Sequence, residues 1–443
     1  MTDGIARTVG ARATASRHMS RKRSERCFGR SLAGFAFGLL ASLSFAAAPS
    51  TLPKAGANGN GAALAAPARS LGPSANAIRI GYVELEPDSR YDPLRLKFRG
   101  LAQPLGRPFA GAEVALREAR FVADALGVGF ALERVAGADA KTLLAAIDTL
   151  HKDGVRFFLV DAPGAIVAEL SKAVRERELL LFNVSAPDDA LRQEQCQRNL
   201  LHTLPNHAMN ADALTQFLVA KKWRSVLMLE GPRADDRLIA AAFERAAKRF
   251  GVKIVETRKF VLSNDPRQRE QGSVALLTAG AEHDVVFVAD SDGEFARSVP
   301  YRSVRARPVV GAEGLAALAW HWSWERHGAP QLNARLEKQA GRQMSEPDWA
   351  AWVAVKAIVE AVVRTQNAPF AQLRDYLRGD DITIDGFKGN RLDFRPWDNQ
   401  LRQPMLLATH NAVVERAPIA GFLHPANNMD TLGFDRRDSR CAF

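Results

Sequence analysis

The chain has 443 residues, a quarter of them charged, with a formal net charge of +11 and three cysteines. Eight of the basic residues fall before residue 49 against two acids, so residues 49–443 carry only about +5. No basic stripe is interleaved with aromatics, and a nucleic-acid partner is therefore not expected.

Residues 1–48 read as an export signal. Arg21, Lys22, Arg23, Arg26 and Arg30 precede an apolar run over 32–45, and Ala46-Ala47-Ala48 follows as a small-residue cleavage site. The run is shorter than the roughly 20 apolar residues that span a bilayer, which favours cleavage over anchoring. Met19 offers an alternative start to Met1. Export places the mature chain in the periplasm, where Cys196 and Cys441 either bond to each other or stand as two thiols; count and compartment allow both. Residues 49–76, rich in Ala, Gly, Pro, Ser and Asn, read as a flexible linker.

Ordered structure is predicted from residue 77. A strand over 78–83 leads to a helix over 109–126, whose Ala115, Ala119, Val122 and Leu126 recur at helical spacing before Gly127. Strand 130–135, helix 142–152, the all-apolar strand 157–160, helix 165–177 and strand 179–182 follow. The rhythm then starts again: helix 207–220, strand 225–229, helix 235–250, strand 253–261, a helix end at 274–279, strand 285–289 and Val309-Val310. A long amphipathic helix is predicted over 349–364, with short strands and turns after it. Alternation of this kind predicts α/β architecture, two doubly wound parallel-sheet lobes of similar size.

In such sheets ligands collect beyond the carboxyl ends of the strands. Those positions supply Glu84, Asp161, Ser185, Asp290, Asp292 and Glu313 as candidate ligand-binding residues, Glu313 lying between Gly311 and Gly314. Any one of them taken singly reads more readily as a helix cap or a solvated turn than as a ligand contact. Trp320, Trp322, Trp324, Trp349 and Trp352 fit core packing better than a pocket lining. No Gly-x-Ser-x-Gly elbow, phosphate loop or His-Glu-x-x-His is present, and the acidic run 290–294 lacks the distal Glu of a calcium loop. Hence no enzymatic activity, metal site or cofactor is expected.

Three segments then carry a resemblance. Val309-Val310-Gly311-Ala312-Glu313-Gly314, Ile384-Asp385-Gly386-Phe387-Lys388-Gly389 and Asn199-Leu200-Leu201-His202-Thr203-Leu204-Pro205 resemble the type I periplasmic binding proteins, the leucine/isoleucine/valine-binding group of ABC transporters. More narrowly, residues 196–203, 392–398 and 430–435 are similar to the substrate-binding proteins that accompany PQQ-dependent alcohol dehydrogenase systems. The resemblance implies two lobes joined by a three-strand hinge, with crossings near His202, around 330–340 and near Thr409. The first lobe would take 77–204 and about 335–408, the second 205–334 and about 409–430, leaving 431–443 as a tail. It implies a monomer that captures a small molecule by lobe closure and passes it to a membrane permease; a ligand sensor or an accessory factor of alcohol oxidation is the alternative. In place of the neutral loops that hold an amino-acid carboxylate, Glu84, Glu86, Asp88 and Asp161-Ala162-Pro163 predict an acid-lined cleft, suited to a cationic, metal-bearing or neutral polar ligand.

Overall fold

Short runs of apolar residues form the strands and helices with apolar faces cover them. The computed structural model describes residues 77–97 and 99–443, so the expected leader and linker lie outside the described residues. In chain order the first part runs β1 (Ala77–Leu85), α1 (Pro93–Lys97), α2 (Phe109–Leu126), β2 (Gly129–Gly137), α3 (Ala140–Lys152), β3 (Phe157–Asp161), α4 (Gly164–Ala173), β4 (Leu180–Asn183) and β5 (Leu200–His202). Its strands form one parallel sheet in the order β2-β1-β3-β4-β5. Every residue of β3 is buried, as a strand covered on both faces requires. Asp139 caps α3, and Leu143, Ile147 and Leu150 turn one face of that helix inward.

The second part runs α5 (His207–Ala220), β6 (Ser225–Glu230), α6 (Ala234–Phe250), β7 (Lys253–Lys259), α7 (Val274–Thr278), β8 (Val285–Ala289), α8 (Val299–Arg302) and β9 (Val309–Gly311). Its parallel sheet has the order β7-β6-β8-β9. Then come β10 (Ala316–Leu318), α9 (Ala329–Ala340), α10 (Glu346–Arg364), α11 (Phe370–Arg378), the β11 (Ile384–Asp385) and β12 (Arg391–Leu392) pair, β13 (Met405–Thr409) and β14 (Ala412–Ala417). Strands β10, β13 and β14 make a separate antiparallel sheet.

The helices α9 and α10 return to the first sheet, where Leu332, Leu336, Trp349 and Trp352 share a core with Ile80, Tyr82 and Phe157. The long predicted helix is thus α10, whereas α9 was not read from the sequence. A second core gathers Met228, Phe243 and Phe287. The chain passes between the cores at three places. Leu204 belongs to the first and Met209 to the second, and Ala317 belongs to the second and Ala319 to the first. In β13, strand periodicity sends Leu406 into the first core and Met405 and Leu407 into the second. These passages are bonded to one another: His202 N–H donates to the Asn399 carbonyl at 3.0 Å, Leu401 N–H to His202 at 2.9 Å, and Gln403 Nε2 to Thr203 at 2.9 Å.

Candidate functional site

Strand register decides what the acidic residues of the first lobe can do. Glu84 and Asp161 are partners on neighbouring strands, so two carboxylates meet side by side at the sheet's carboxyl end. Both are buried, and such a pair persists only when cations and donors surround it. Arg107 Nη1 bridges them, 3.6 Å from Glu84 and 3.3 Å from Asp161. Arg134 binds Glu84 at 2.7 Å, and Arg90 reaches Asp161 at 3.3 Å and Asp88 at 2.6 Å. The hydroxyls of Tyr91 and Tyr82 donate to Asp161 at 2.8 and 3.1 Å. Burial pushes the Glu84 carboxyl up, while Arg134 and Arg107 pull it down. Both tyrosine hydroxyls are held well above their usual range, first by burial and then by Asp161. The acids are neutralised within the lobe.

Beside this cluster lies a cavity of about 650 Å³, walled by both lobes and within the size range of ligand sites. Ser185, Asp290 and Asp292 line it, whereas Glu84, Asp161 and Glu313 do not. The Ser185 hydroxyl and carbonyl both accept from Arg90, at 3.1 and 2.9 Å, so the ion cluster fixes the wall above it. The Asp290 carboxylate accepts from the N–H groups of Ala296 and Asp292, at 2.9 and 3.2 Å, the capped turn weighed from sequence. Burial raises its pKa. Asp292 joins the lobes directly: it pairs with Arg95 of α1 at 2.8 Å and with Arg233 ahead of α6. Nearby, the Gln103 amide donates to the Ser291 carbonyl, and a Cβ on Gly293 would come within 3.1 Å of Gly100 Cα. Glu313, half-buried, accepts from the N–H of Gly314. The turn around it needs its glycines: Gly311 has φ +108°, and a Cβ on Gly314 would meet the Val309 carbonyl at 2.1 Å.

Three lining residues were not singled out from sequence. Arg99 has no hydrogen bond or carboxylate partner among the described residues, and burial together with the like charge of Arg342 lowers its pKa. His321 is pushed down to about 4 by burial, with Ser323 Oγ 2.7 Å from its Nδ1. Glu346, the first residue of α10, accepts from the Ala319 N–H and is pushed up to about 7 by burial. Position in a strand-end rule finds none of them, since Arg99 lies in an aperiodic segment and Glu346 reads as an ordinary acid in a helix's first turn. The tryptophans divide. Trp320 stacks on Trp349 with ring centroids 6.2 Å apart and also forms cavity wall; Trp322 lines the cavity and is partly exposed. Among the described residues no cluster of His, Cys, Asp and Glu could hold a metal, and no helix is long and apolar enough to cross a membrane.

Two parallel α/β lobes, crossed three times by the chain and enclosing a cavity, define the type I periplasmic solute-binding fold. Residues 98–300 match the family model described as periplasmic binding protein. Among solved structures, a branched chain amino acid ABC transporter periplasmic ligand-binding protein from Burkholderia xenovorans is similar at TM-score 0.63 and 16% identity, covering 82% of this chain and 99% of that one. A solute binding protein of an ABC transporter from R. palustris, in complex with benzoate, aligns at TM-score 0.59 and 10% identity over 83% and 100% of the two chains. A leucine-, isoleucine-, valine-, threonine- and alanine-binding protein from Brucella ovis, in closed conformation, aligns at 0.59 and 14% over 78% and 93%. These likenesses are of fold. No curated protein matches the sequence.

Proposed function

We propose that this chain is the periplasmic solute-binding component of an ABC transporter and closes its lobes over a small organic acid. The observation that carries the reading is the two-walled cavity with an unpaired guanidinium, Arg99, among its lining residues. The acids expected to favour a cation are engaged elsewhere: Asp161 and Glu84 in the ion cluster, Asp292 between two arginines. Ser185 and Asp290 form wall, Asp292 holds the lobes together, and Glu313 makes no ligand contact in this reading. Apolar wall from Leu214, Ile239, Phe287 and Trp320 suits an aliphatic or aromatic body. The narrower sequence likeness to partners of PQQ-dependent alcohol dehydrogenase systems supports a place beside alcohol oxidation, a chemistry whose products include carboxylic acids. A cleaved leader, a monomeric mature chain and an inner-membrane permease partner complete the proposal.

A thermal-shift screen tests it, with benzoate, aliphatic carboxylates, branched-chain amino acids, alcohols, aldehydes, amines and PQQ as probes. A ligand at 100 times its Kd stabilises by about 2.7 kcal/mol. Carboxylates should raise the Tm of the wild type and not of Arg99→Gln. A shift with amines or alcohols alone would refute the acid assignment, and turnover of any probe would refute a purely binding role.

A further inference from the structure

Three passages join the lobes within the hinge, but the chain does not stop there. After β14 it runs back across both lobes. Leu432 is buried in the second core. Around it Gly433 N–H donates to Asp212 of α5 at 2.7 Å, and Arg249 of α6 donates to the Gly433 carbonyl at 2.9 Å. Gln216 of α5 donates to Thr431 Oγ1 at 3.1 Å. These bonds fix the segment to the second lobe.

The same few residues are fixed to the first. Arg395, in the turn between Phe394 and Leu401 of the first core, donates to the carbonyls of Leu432 and Phe434 at 2.6 and 3.2 Å. It also pairs with Asp430 at 3.2 Å, and Arg402 pairs with Asp430 at 2.8 Å. Trp397 donates to Phe434 at 3.2 Å and accepts from Ser439 at 3.2 Å. Farther along, Arg440 N–H donates to Gln193 Oε1 at 3.1 Å, and Cys441 is disulfide-bonded to Cys196 of the first lobe, with Cα atoms 5.7 Å apart.

We infer that residues 430–441 form a fourth link between the lobes, a strap closed covalently by Cys196–Cys441 that limits how far the lobes swing apart. Hinge opening needs backbone that can change its torsions while the lobes move as rigid bodies. Three crossing strands permit that rotation. A fourth link, seated in one core and bonded to the other lobe, resists it. The strap acts on the range of motion with no ligand present, so it stands or falls apart from the proposed cargo.

The test is small-angle scattering of the ligand-free mature chain, comparing the wild type with the Cys196→Ser/Cys441→Ser double variant. A second comparison uses Cys196→Ser truncated after Phe434, which keeps Asp430 and Leu432 in place. Loosening the strap should raise the radius of gyration and broaden the distance distribution, as hinge opening requires. Amide exchange should rise over 430–441 while β3 and β8 stay protected. Unchanged scattering from both folded variants would overturn the inference. So would failure of both to fold, which would make the tail a part of the cores.

Discussion

Replacing Asp161 by alanine separates a supporting carboxylate from a ligand contact. Removing one partner of a buried ion pair costs about 3–5 kcal/mol, because the other charge stays buried and unpaired. Here Arg90 keeps Asp88 and Arg107 keeps Glu84, which argues for the low end, about 3 kcal/mol. Two buried tyrosine hydroxyls also lose their acceptor, at about 1 kcal/mol each. Because the three losses share one cluster, they add incompletely, and about 4 kcal/mol is expected. With an unfolding entropy of about 2 cal/mol/K per residue over the described chain, the Tm should fall by about 5 °C. Asp161→Asn keeps an acceptor oxygen and should lose about half as much. Differential scanning fluorimetry and urea titration read both variants. An alanine variant melting within about 1 °C of the wild type would refute the cluster argument. If it also lost binding of a probe found in the thermal-shift screen, Asp161 would be a ligand contact.

Asp292→Asn removes the carboxylate between Arg95 and Arg233; the two arginines are partly exposed, so the loss should be about 1 kcal/mol. The wild type should also lose this part of its stability at 1 M NaCl, so urea titrations at low and high salt should converge for the two proteins; a constant gap would refute it. Glu346 has its folded pKa raised to about 7 from 4.5, so the unfolded chain releases this proton first as pH rises. Its contribution to stability is present below about pH 4.5 and is lost as pH climbs to about 7. The stability of Glu346→Gln relative to wild type should therefore grow across that window by about 3 kcal/mol and then level off. Chemical denaturation at half-unit pH steps checks this, and a pH-independent difference would contradict it.

Much of the fold was legible because its strands are short apolar runs buried on both faces. Phe157–Asp161 and Val285–Ala289 announce themselves in this way, and Leu143, Ile147 and Leu150 mark α3 by spacing alone. Helix α9 was missed because only Ala329, Leu332 and Leu336 turn inward amid exposed polar residues. Placing candidates beyond strand ends brought Ser185, Asp290 and Asp292 to the cavity wall. The same rule could not show that Asp161 would be enclosed by Arg90, Arg107, Tyr82 and Tyr91, because Tyr82 lies 79 residues away and only the register of β1 against β3 brings them together. An acidic sequence position thus became a neutral site.

The interleaving of the two cores has a consequence for how the chain folds. The sheet of the first core is complete by His202, yet the helix that covers one of its faces, α10, begins only at Glu346. Between them lies the whole second sheet, contiguous from Ser225 to Gly311. The intervening lobe can therefore assemble from local pairings, while the first must hold an uncovered apolar face until much later sequence arrives. Cutting the chain after residue 202 would leave that face bare, so the first lobe is not a separable module although the second is nearly one.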